Sequence, residues 1–251
     1  MIELKSVSKS YGQNVVIPSL DLKILHEKTH CLLGTSGSGK TTILRLISGL
    51  TPLNSGEVSI QGAPLSNLSR QEFASKVGFV SQDGGLFPHM TCWENILLPG
   101  KIHNKDLEVL RSRCHEFSKM VDLPVSLLDK VPAQLSGGQR QRVALIRGLI
   151  LDPDILLLDE PMSALDPMVR ASLQRQLKIM FKELKKTVLI ITHDLHEASF
   201  LGDVIHLLNG GRIIQEGSFK ELYERPKEDF VDEFLKAQIP DELLNHKGSQ
   251  S

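Results

Sequence analysis

The stretch "THCLLGTSGSGKTTILRLISGL" (residues 29–50) decides the fold. Its first six residues form a short apolar run stopped by glycine, the pattern of a buried strand. Its last ten set Ile43, Leu46, Ile47 and Leu50 at helical spacing. Between them, residues 34–41 match G-x-x-x-x-G-K-[ST] in full, after a strand and before a helix as the motif requires. The physical demand behind the pattern is narrow. A triphosphate needs several backbone N–H donors converging on it, and glycine lets the backbone come close. The helix N-terminus adds the positive end of its dipole. Gly34, Thr35, Ser36, Gly37, Ser38, Gly39, Lys40, Thr41 and Thr42 are therefore the candidate cradle. Lys40 is expected on the β- and γ-phosphates and Thr41 on Mg²⁺. The alternative, a flexible Gly/Ser turn, is set aside because motif and context coincide.

Outward from this stretch, strands alternate with helices, which predicts an α/β core with a largely parallel sheet. Residues 2–7 and 20–25 alternate as strands, and "GEVSIQGAPL" (56–65) and "VGFVSQ" (77–82) read as one strand each. "DILLLDE" (154–160) and "TVLIITH" (187–193) continue the set, and the unalternating "ILLLD" suits a strand buried on both faces. Between these two, Val169, Leu173, Leu177, Met180 and Leu184 fall on one helical face. "VIHLLNGGRIIQEGS" is expected to be a hairpin turning at residues 209–211, and the capping box "SFKE" (218–221) to start a helix. "RPKEDFVDEFLKAQ" gives another short helix. Residues 86–150 change character: leucines and charges recur at helical spacing, punctuated by Pro99, Pro124 and Pro132. This predicts an inserted helical subdomain.

Composition bounds the function. The 251 residues carry a net charge of −1, so no global basic excess marks a nucleic-acid binder. Three cysteines at unrelated spacings argue against disulfides and zinc and suit a reducing compartment. No apolar run reaches the ~18 residues of a membrane span, and the N-terminus lacks a secretory apolar segment. A cytoplasmic chain is expected, which leaves a membrane-bound partner open.

Two further motifs carry chemistry. "ILLLDE" ends a buried strand in two carboxylates at the sheet edge where ligands bind. Asp159 is the candidate for the Mg²⁺ shell and Glu160 for positioning or polarising an attacking water. Alone, such a pair would read as solvated; beside the phosphate loop it reads as functional. The second is "QLSGGQRQRVALIR" (134–147), where a serine hydroxyl and closely spaced N–H groups open a helix, a second anion site. One physical use for it is to cap a nucleotide held by another copy of the chain.

The combination resembles the ATP-binding subunits of ABC transporters. "LSGGQ" (135–139) matches that family's signature and is highly specific beside the phosphate loop. Tyr11 sits where the family stacks an aromatic ring on adenine, Gln82 matches the Q-loop, "SALD" (163–166) the D-loop, and His193 in "ITHD" the switch histidine. The resemblance covers about residues 1–240. It implies a head-to-tail dimer with two ATP, each between one subunit's phosphate loop and the other's Ser136, Gly137, Gly138 and Gln139. Asp166 joins the nucleotide-binding set, Gln82 serves metal and catalysis, and His193 contacts the γ-phosphate and steadies the water. The expected fold is α/β: a P-loop NTPase core with a largely parallel sheet, an antiparallel N-terminal β part and the helical insertion. The core spans about residues 1–85 and 151–217, the helical subdomain about 86–150, and C-terminal helices about 218–237, before a polar, frayed tail at 241–251.

Each element has a plainer alternative. Tyr11 could be a half-buried strand-end aromatic and Gln82 a solvated strand-end glutamine. His193 and His196 could pair on a metal, though no third ligand is evident. Arg140, Arg142 and Arg147 could be a nucleic-acid patch, although a solvated or ion-paired helix face fits the neutral charge better. The turn "LHEKTH" lacks a glycine common in the family, without expected effect. No regulatory domain is expected after the core, since the sequence ends at Ser251.

The resemblance also implies a membrane permease, with its contact surface at "GGLFPHMTCWENILLP" (84–99). Phe87, Met90 and Trp93 there are either interface anchors or the helical subdomain's own core. A solute-binding protein is expected in the same complex, at the cytoplasmic face of the cell membrane, without nucleic acid. "GLFPHMT", "LDPMVR", "THDLHEASFLGD" and "RPKEDFVDEF" look most like importers of osmoprotectants such as glycine betaine, choline or carnitine. Amino-acid or other polar-solute import is the nearest competitor, and lipid or lipoprotein export lies further off. A P-loop kinase would have no use for "LSGGQ", and a soluble ABC protein acting on ribosomes or DNA would show two phosphate loops or a coiled-coil insertion.

Overall fold

A computed structural model describes residues 1–238. The expected polar tail at 241–251 lies outside them. Two sheets form. The first is antiparallel, with β1 (Ile2–Tyr11), β2 (Asn14–Ile24), β4 (Ser55–Ile60) and β5 (Ala63–Pro64) in the order β2-β1-β4-β5. The second contains β3 (Thr29–Gly34), β6 (Val77–Val80), β7 (Ile155–Asp159), β8 (Thr187–Thr192), β9 (Val204–Asn209) and β10 (Arg212–Gly217). Its order is β10-β9-β3-β8-β7-β6, parallel except for the β9–β10 hairpin.

Burial explains the second sheet. Every residue of β3 and β8 is buried, as the unalternating runs require. Cys31 and Leu33 of β3 join one apolar cluster while Leu32 joins the other. The same division separates Leu156 and Leu158 from Ile155 and Leu157 in β7. One cluster lies toward the first sheet and α1 (Lys40–Ile47). The other is continuous with the helices of residues 92–150: α3 (Cys92–Ile102), α4 (Leu107–Met120) and α5 (Gly137–Leu149). Each fully buried aliphatic side chain contributes roughly 1.5–3 kcal/mol, so these two-sided strands anchor whatever hangs from their ends.

Local chemistry sets most helix starts. Ser69, Thr91, Ser136 and Ser218 form capping boxes for α2 (Arg70–Lys76), α3, α5 and α8 (Phe219–Glu224). Asp106, Asp166 and Asp194 cap α4, α6 (Pro167–Glu183) and α7 (Leu195–Leu201). A last helix, α9 (Asp229–Lys236), follows the C-terminal "RPKED" turn.

Three sequence expectations are corrected. "GEVSIQGAPL" is two strands, β4 and β5, because Gln61 (φ 53°) and Gly62 (φ 82°) both turn left-handed and reverse the chain. Pro99 does not punctuate: it lies inside α3. Packing of α3 against α4 and α5 outweighs the ~3 kcal/mol an interior proline costs. The neighbouring Gly100 leaves room for Leu110 of α4, whose Cδ1 a Cβ would meet at 1.9 Å, so that side chain would have to shift. The N-terminal strands run longer than 2–7 and 20–25, because β1 and β2 pair as far as Tyr11 and Asn14.

Candidate functional site

The parallel strands end side by side, and their carboxyl ends deliver the chemistry. Gly34 ends β3, Asp159 ends β7 with Glu160 just beyond, His193 follows β8, and Gln82 follows β6 by two residues. A cleft of about 680 Å³ opens there, lined by Ser36, Gly37, Gly39, Lys40, Thr41, Thr42, Gln82, Glu160, His193 and Val16. Val16, from β2, was not anticipated.

The loop before α1 is shaped to receive an anion. Gly37 and Gly39 are left-handed at φ 79° and 105°. A Cβ on Gly34 would meet Leu208 O at 2.3 Å and Ser38 Oγ at 2.9 Å. Ser38 Oγ is buried with no hydrogen-bond partner. Gly34, Thr35 and Ser38 do not line the cleft, Gly34 and Ser38 being buried and Thr35 exposed, and Gly211 N donates to Ser38 O at 3.0 Å, so the β9–β10 turn braces the loop. The N-terminus of α1 has no side-chain cap and no acidic residue in its first turn, whereas α2 to α8 are all capped by side chains. Its first N–H groups are thus without intrahelical acceptors, which fits a phosphate. Lys40 Nζ donates to Gly34 O and Thr35 O, both at 2.8 Å. Burial lowers its pKa, against the opposing pull of Glu160 and Asp159.

On the facing side, Glu160 takes a left-handed φ of 44°, a costly conformation for a non-glycine residue of the kind that clusters at functional sites. Its N–H donates to Ile191 O at 2.9 Å, which ties it to β8. Its carboxylate lies 3.3 Å from His193 Nδ1 and 3.4 Å from Gln82 Nε2. Gln82 Nε2 also reaches Ser163 Oγ at 3.4 Å, and that hydroxyl donates to Glu160 O at 3.1 Å. Burial, then the neighbouring Glu160 charge, raises the Asp159 pKa. A divalent cation with phosphate oxygens would relieve both carboxylates, and with Thr41 and Asp159 the donor set is the hard-oxygen kind Mg²⁺ takes. Among the described residues no group of three or more His, Cys, Asp or Glu could hold a metal.

Other anticipated residues stand apart from the cleft. Tyr11 is 46% exposed, with Lys9 Nζ 4.9 Å above its ring, and does not line it. Nor do Ser136, Gly137, Gly138, Gln139 or Asp166. Ser136 Oγ accepts from Gln139 N at 3.3 Å and Gln139 Oε1 accepts from Ser136 N at 2.9 Å. Gly138 lets α5 approach α6, since a Cβ would lie 2.6 Å from Val169 Cγ1. Asp166 Oδ1 accepts from Val169 N at 3.0 Å. The three arginines are engaged by the protein itself: Arg140 with Leu135 O, Arg142 with Gln176, and Arg147 with Gly84 O and Gly85 O.

In the 84–99 stretch, Phe87 is 42% exposed, while Trp93 packs partly on the core and lies edge-on to His115 at 5.3 Å. Buried Asn95 pins the loop by bonding Phe87 N and O, Met90 O and Thr91 O. Sequence reasoning also missed a group behind His193: Thr192, Asp194, Arg170 and Glu197. Glu197 is 3% exposed, and burial pushes its carboxyl up to about 7 despite the bond from Thr192. An acidic residue in an amphipathic helix gives no sign of its burial.

Fold and site together define a P-loop nucleotide-binding protein. The chain belongs to the ABC transporter family, whose sequence profile matches residues 17–163. It is 40% identical over 236 residues to the glycine betaine/carnitine/choline transport ATP-binding protein OpuCA of Bacillus subtilis (strain 168), covering 94% of this chain and 62% of that one. The spermidine/putrescine import ATP-binding protein PotA of Haemophilus influenzae is also 40% identical, with the same shares covered. The sulfate/thiosulfate import ATP-binding protein CysA 2 of Shewanella oneidensis is 42% identical, covering 93% and 66%. This chain thus spans about 62% of the length of the first two. Among solved structures, the dimeric bacterial ABC transporter cassette MJ0796 superposes with a TM-score of 0.78 at 35% identity, over 87% of this chain and 98% of that one. A second MJ0796 dimer, in a post-hydrolysis state bound to ADP and Pi, matches equally well.

Proposed function

We propose that this chain is the ATP-hydrolysing subunit of an ABC importer. The observation that carries the reading is the meeting of the Gly34–Lys40 loop, Glu160, Gln82 and His193 around one cleft. In this reading the N–H groups of residues 36–42 and the Lys40 ammonium hold the triphosphate, the lysine exchanging its two loop carbonyls for phosphate oxygens. Thr41, Asp159 and Gln82 would hold Mg²⁺, which would supply positive charge against the phosphates. Glu160 orients a water for attack on the γ-phosphorus and takes up its proton, while His193 contacts the γ-phosphate. The products are ADP and phosphate. Tyr11 packs on adenine from outside the cleft proper.

A second copy, or a homologous subunit, completes each site with its Ser136, Gly137, Gly138 and Gln139, and its Asp166 borders the nucleotide. Two features support this. Those residues lie away from their own chain's cleft, and MJ0796, a 35% identical cassette, is dimeric. Nucleotide then joins two subunits and hydrolysis releases them. This cycle would drive a membrane permease gripped around Phe87 at the cytoplasmic face of the membrane, with a solute-binding protein delivering cargo. Among the described residues no helix is long and apolar enough to cross a membrane. The domain division is as read from the sequence, with the core at about 1–85 and 151–217 and the helical part at about 86–150.

For the cargo, we infer a quaternary amine such as glycine betaine, choline or carnitine. The likeness to OpuCA and to the choline transport ATP-binding protein OpuBA supports it. Polyamine import is the competing reading, favoured by PotA at equal identity. Two measurements test the whole. Purified chain should hydrolyse MgATP, and Ser136→Arg should abolish turnover while leaving nucleotide binding intact. Undiminished turnover in that variant rejects the shared-site reading. Uptake of labelled choline and of spermidine by cells with and without the gene separates the cargoes.

A further inference from the structure

Behind the cleft, the turn that carries His193 is held by a chain of polar groups the hydrolysis scheme does not use. Thr192 Oγ1 accepts from Asp194 N at 3.0 Å and donates to Glu197 Oε2 at 2.8 Å, bracketing His193 from both sides. Asp194 Oδ1 caps α7, and its Oδ2 pairs with Arg170 Nη1 at 3.1 Å. Arg170 Nη2 donates to Leu165 O at 3.2 Å, in the "SALD" loop. Two polar atoms of this network are buried without a protein partner: Arg170 Nε, a donor, and Glu197 Oε1, an acceptor. Both residues line one small cavity of about 20 Å³, whose wall also includes Glu160 and His193. A cavity needs ~10–15 Å³ to admit one water, and two polar partners to retain it. Leaving either atom unsatisfied at this depth would be costly.

We propose that Glu197 and Arg170 are the positioning pair of the His193 turn, joined by a single water that accepts from Arg170 Nε–H and donates to Glu197 Oε1. The pair acts through others. Glu197 fixes Thr192, Arg170 fixes Asp194, and between them they set the 3.3 Å approach of His193 Nδ1 to Glu160. Because Arg170 also holds Leu165, displacement of the 163–166 loop is transmitted to His193. The kinetic consequence rests on the ATPase reading above; the structural one does not.

Two arms test it on the full chain. A crystal structure fine enough to place waters should show one within hydrogen-bond reach of both atoms. A dry cavity, or direct contact of Arg170 with Glu197, overturns the proposal. In steady-state assays, Glu197→Ala and Arg170→Ala should lower kcat at least ~10-fold with ATP affinity unchanged within about twofold. Glu197→Gln keeps an acceptor for Thr192 and a polar group for the water, and should retain at least about half of kcat. Arg170→Lys, lacking the fork, should behave like the alanine variant. If Glu197→Ala does not fold, the Glu197→Gln and Arg170→Lys pair decides. Unchanged kcat in the alanine variants, equal loss of kcat and affinity, or Glu197→Gln as poor as alanine rejects the pair. Arg111→Ala, on the exposed surface of α4, is the control. Should the parent chain bind ATP without hydrolysing it, the ATPase reading fails. The proposal is then judged on the water and on the His193 ring resonance, which Arg170→Ala must shift.

Discussion

His30 and His206 make a proton chain whose disruption by acid can be calculated. His30 Nε2 faces the Leu25 N–H at 2.9 Å and must accept, so its ring proton sits on Nδ1. That proton is donated to His206 Nε2 at 2.8 Å, which leaves the His206 proton on Nδ1, donated to Glu216 Oε2 at 3.0 Å. Both histidines are 1% exposed. A second proton on His30 would point at an N–H donor. Burial, then His206 and Lys28, lowers the His30 pKa from 6.5 to about 3. Burial also lowers that of His206, against the pull of Glu216. The folded state therefore holds His30 neutral where the unfolded chain protonates it. Stability is full above the unfolded value of 6.5 and falls as pH drops through it, toward the folded value. The slope approaches ~1.4 kcal/mol per pH unit, and the integral from about pH 7.5 to about pH 5 is roughly 2 kcal/mol for His30 alone. His30→Gln offers an acceptor to Leu25 and a donor to His206 but cannot titrate. Urea unfolding of both proteins across that window should show the parent losing roughly 2 kcal/mol more than the variant, whatever the variant's stability at neutral pH. Parallel curves would mean that His30 takes its proton in the folded state, and the tautomer chain would be wrong.

Three more outcomes follow from the site. Glu160→Gln should bind ATP and lose roughly 10²–10⁴-fold in hydrolysis, measured by phosphate release; turnover like the parent's would remove Glu160 from the reaction. Gly34→Ala drives a Cβ to 2.3 Å from Leu208 O and should cost about 1–3 kcal/mol in stability, with weakened nucleotide binding by titration calorimetry. Equal stability and affinity would mean that the loop is looser than its geometry. Phe87→Ala should abolish transport while soluble ATPase activity stays near the parent's, whereas Trp93→Ala should lower the melting temperature because its ring packs on the core. The opposite pattern would exchange the two residues' roles.

Much of this protein is local, and the local part was legible. The strand–loop–helix of residues 29–47, the unalternating β7 and β8, the β9–β10 hairpin and the "SFKE" cap each depend on neighbours a few residues away. A glycine needing a left-handed turn, or a serine three residues before a glutamate, announces itself in a line of letters. The capping boxes "SRQE" and "TCWE" are equally readable starts for α2 and α3. What tertiary structure decided is where polar groups end up. Pro99 stays helical within an α3 packed against α4 and α5, and Gln61 turns left-handed where β5 returns to pair with β4. Nothing near His30 indicates a histidine 176 residues away, and nothing in "HDLHEA" separates the buried Glu197 from the exposed His196. Hydrogen bonding and hydration act through space: a carboxylate's protonation, or an arginine's partner, is set by which strands and helices enclose it. That enclosure exists only once the two-sided sheet has closed.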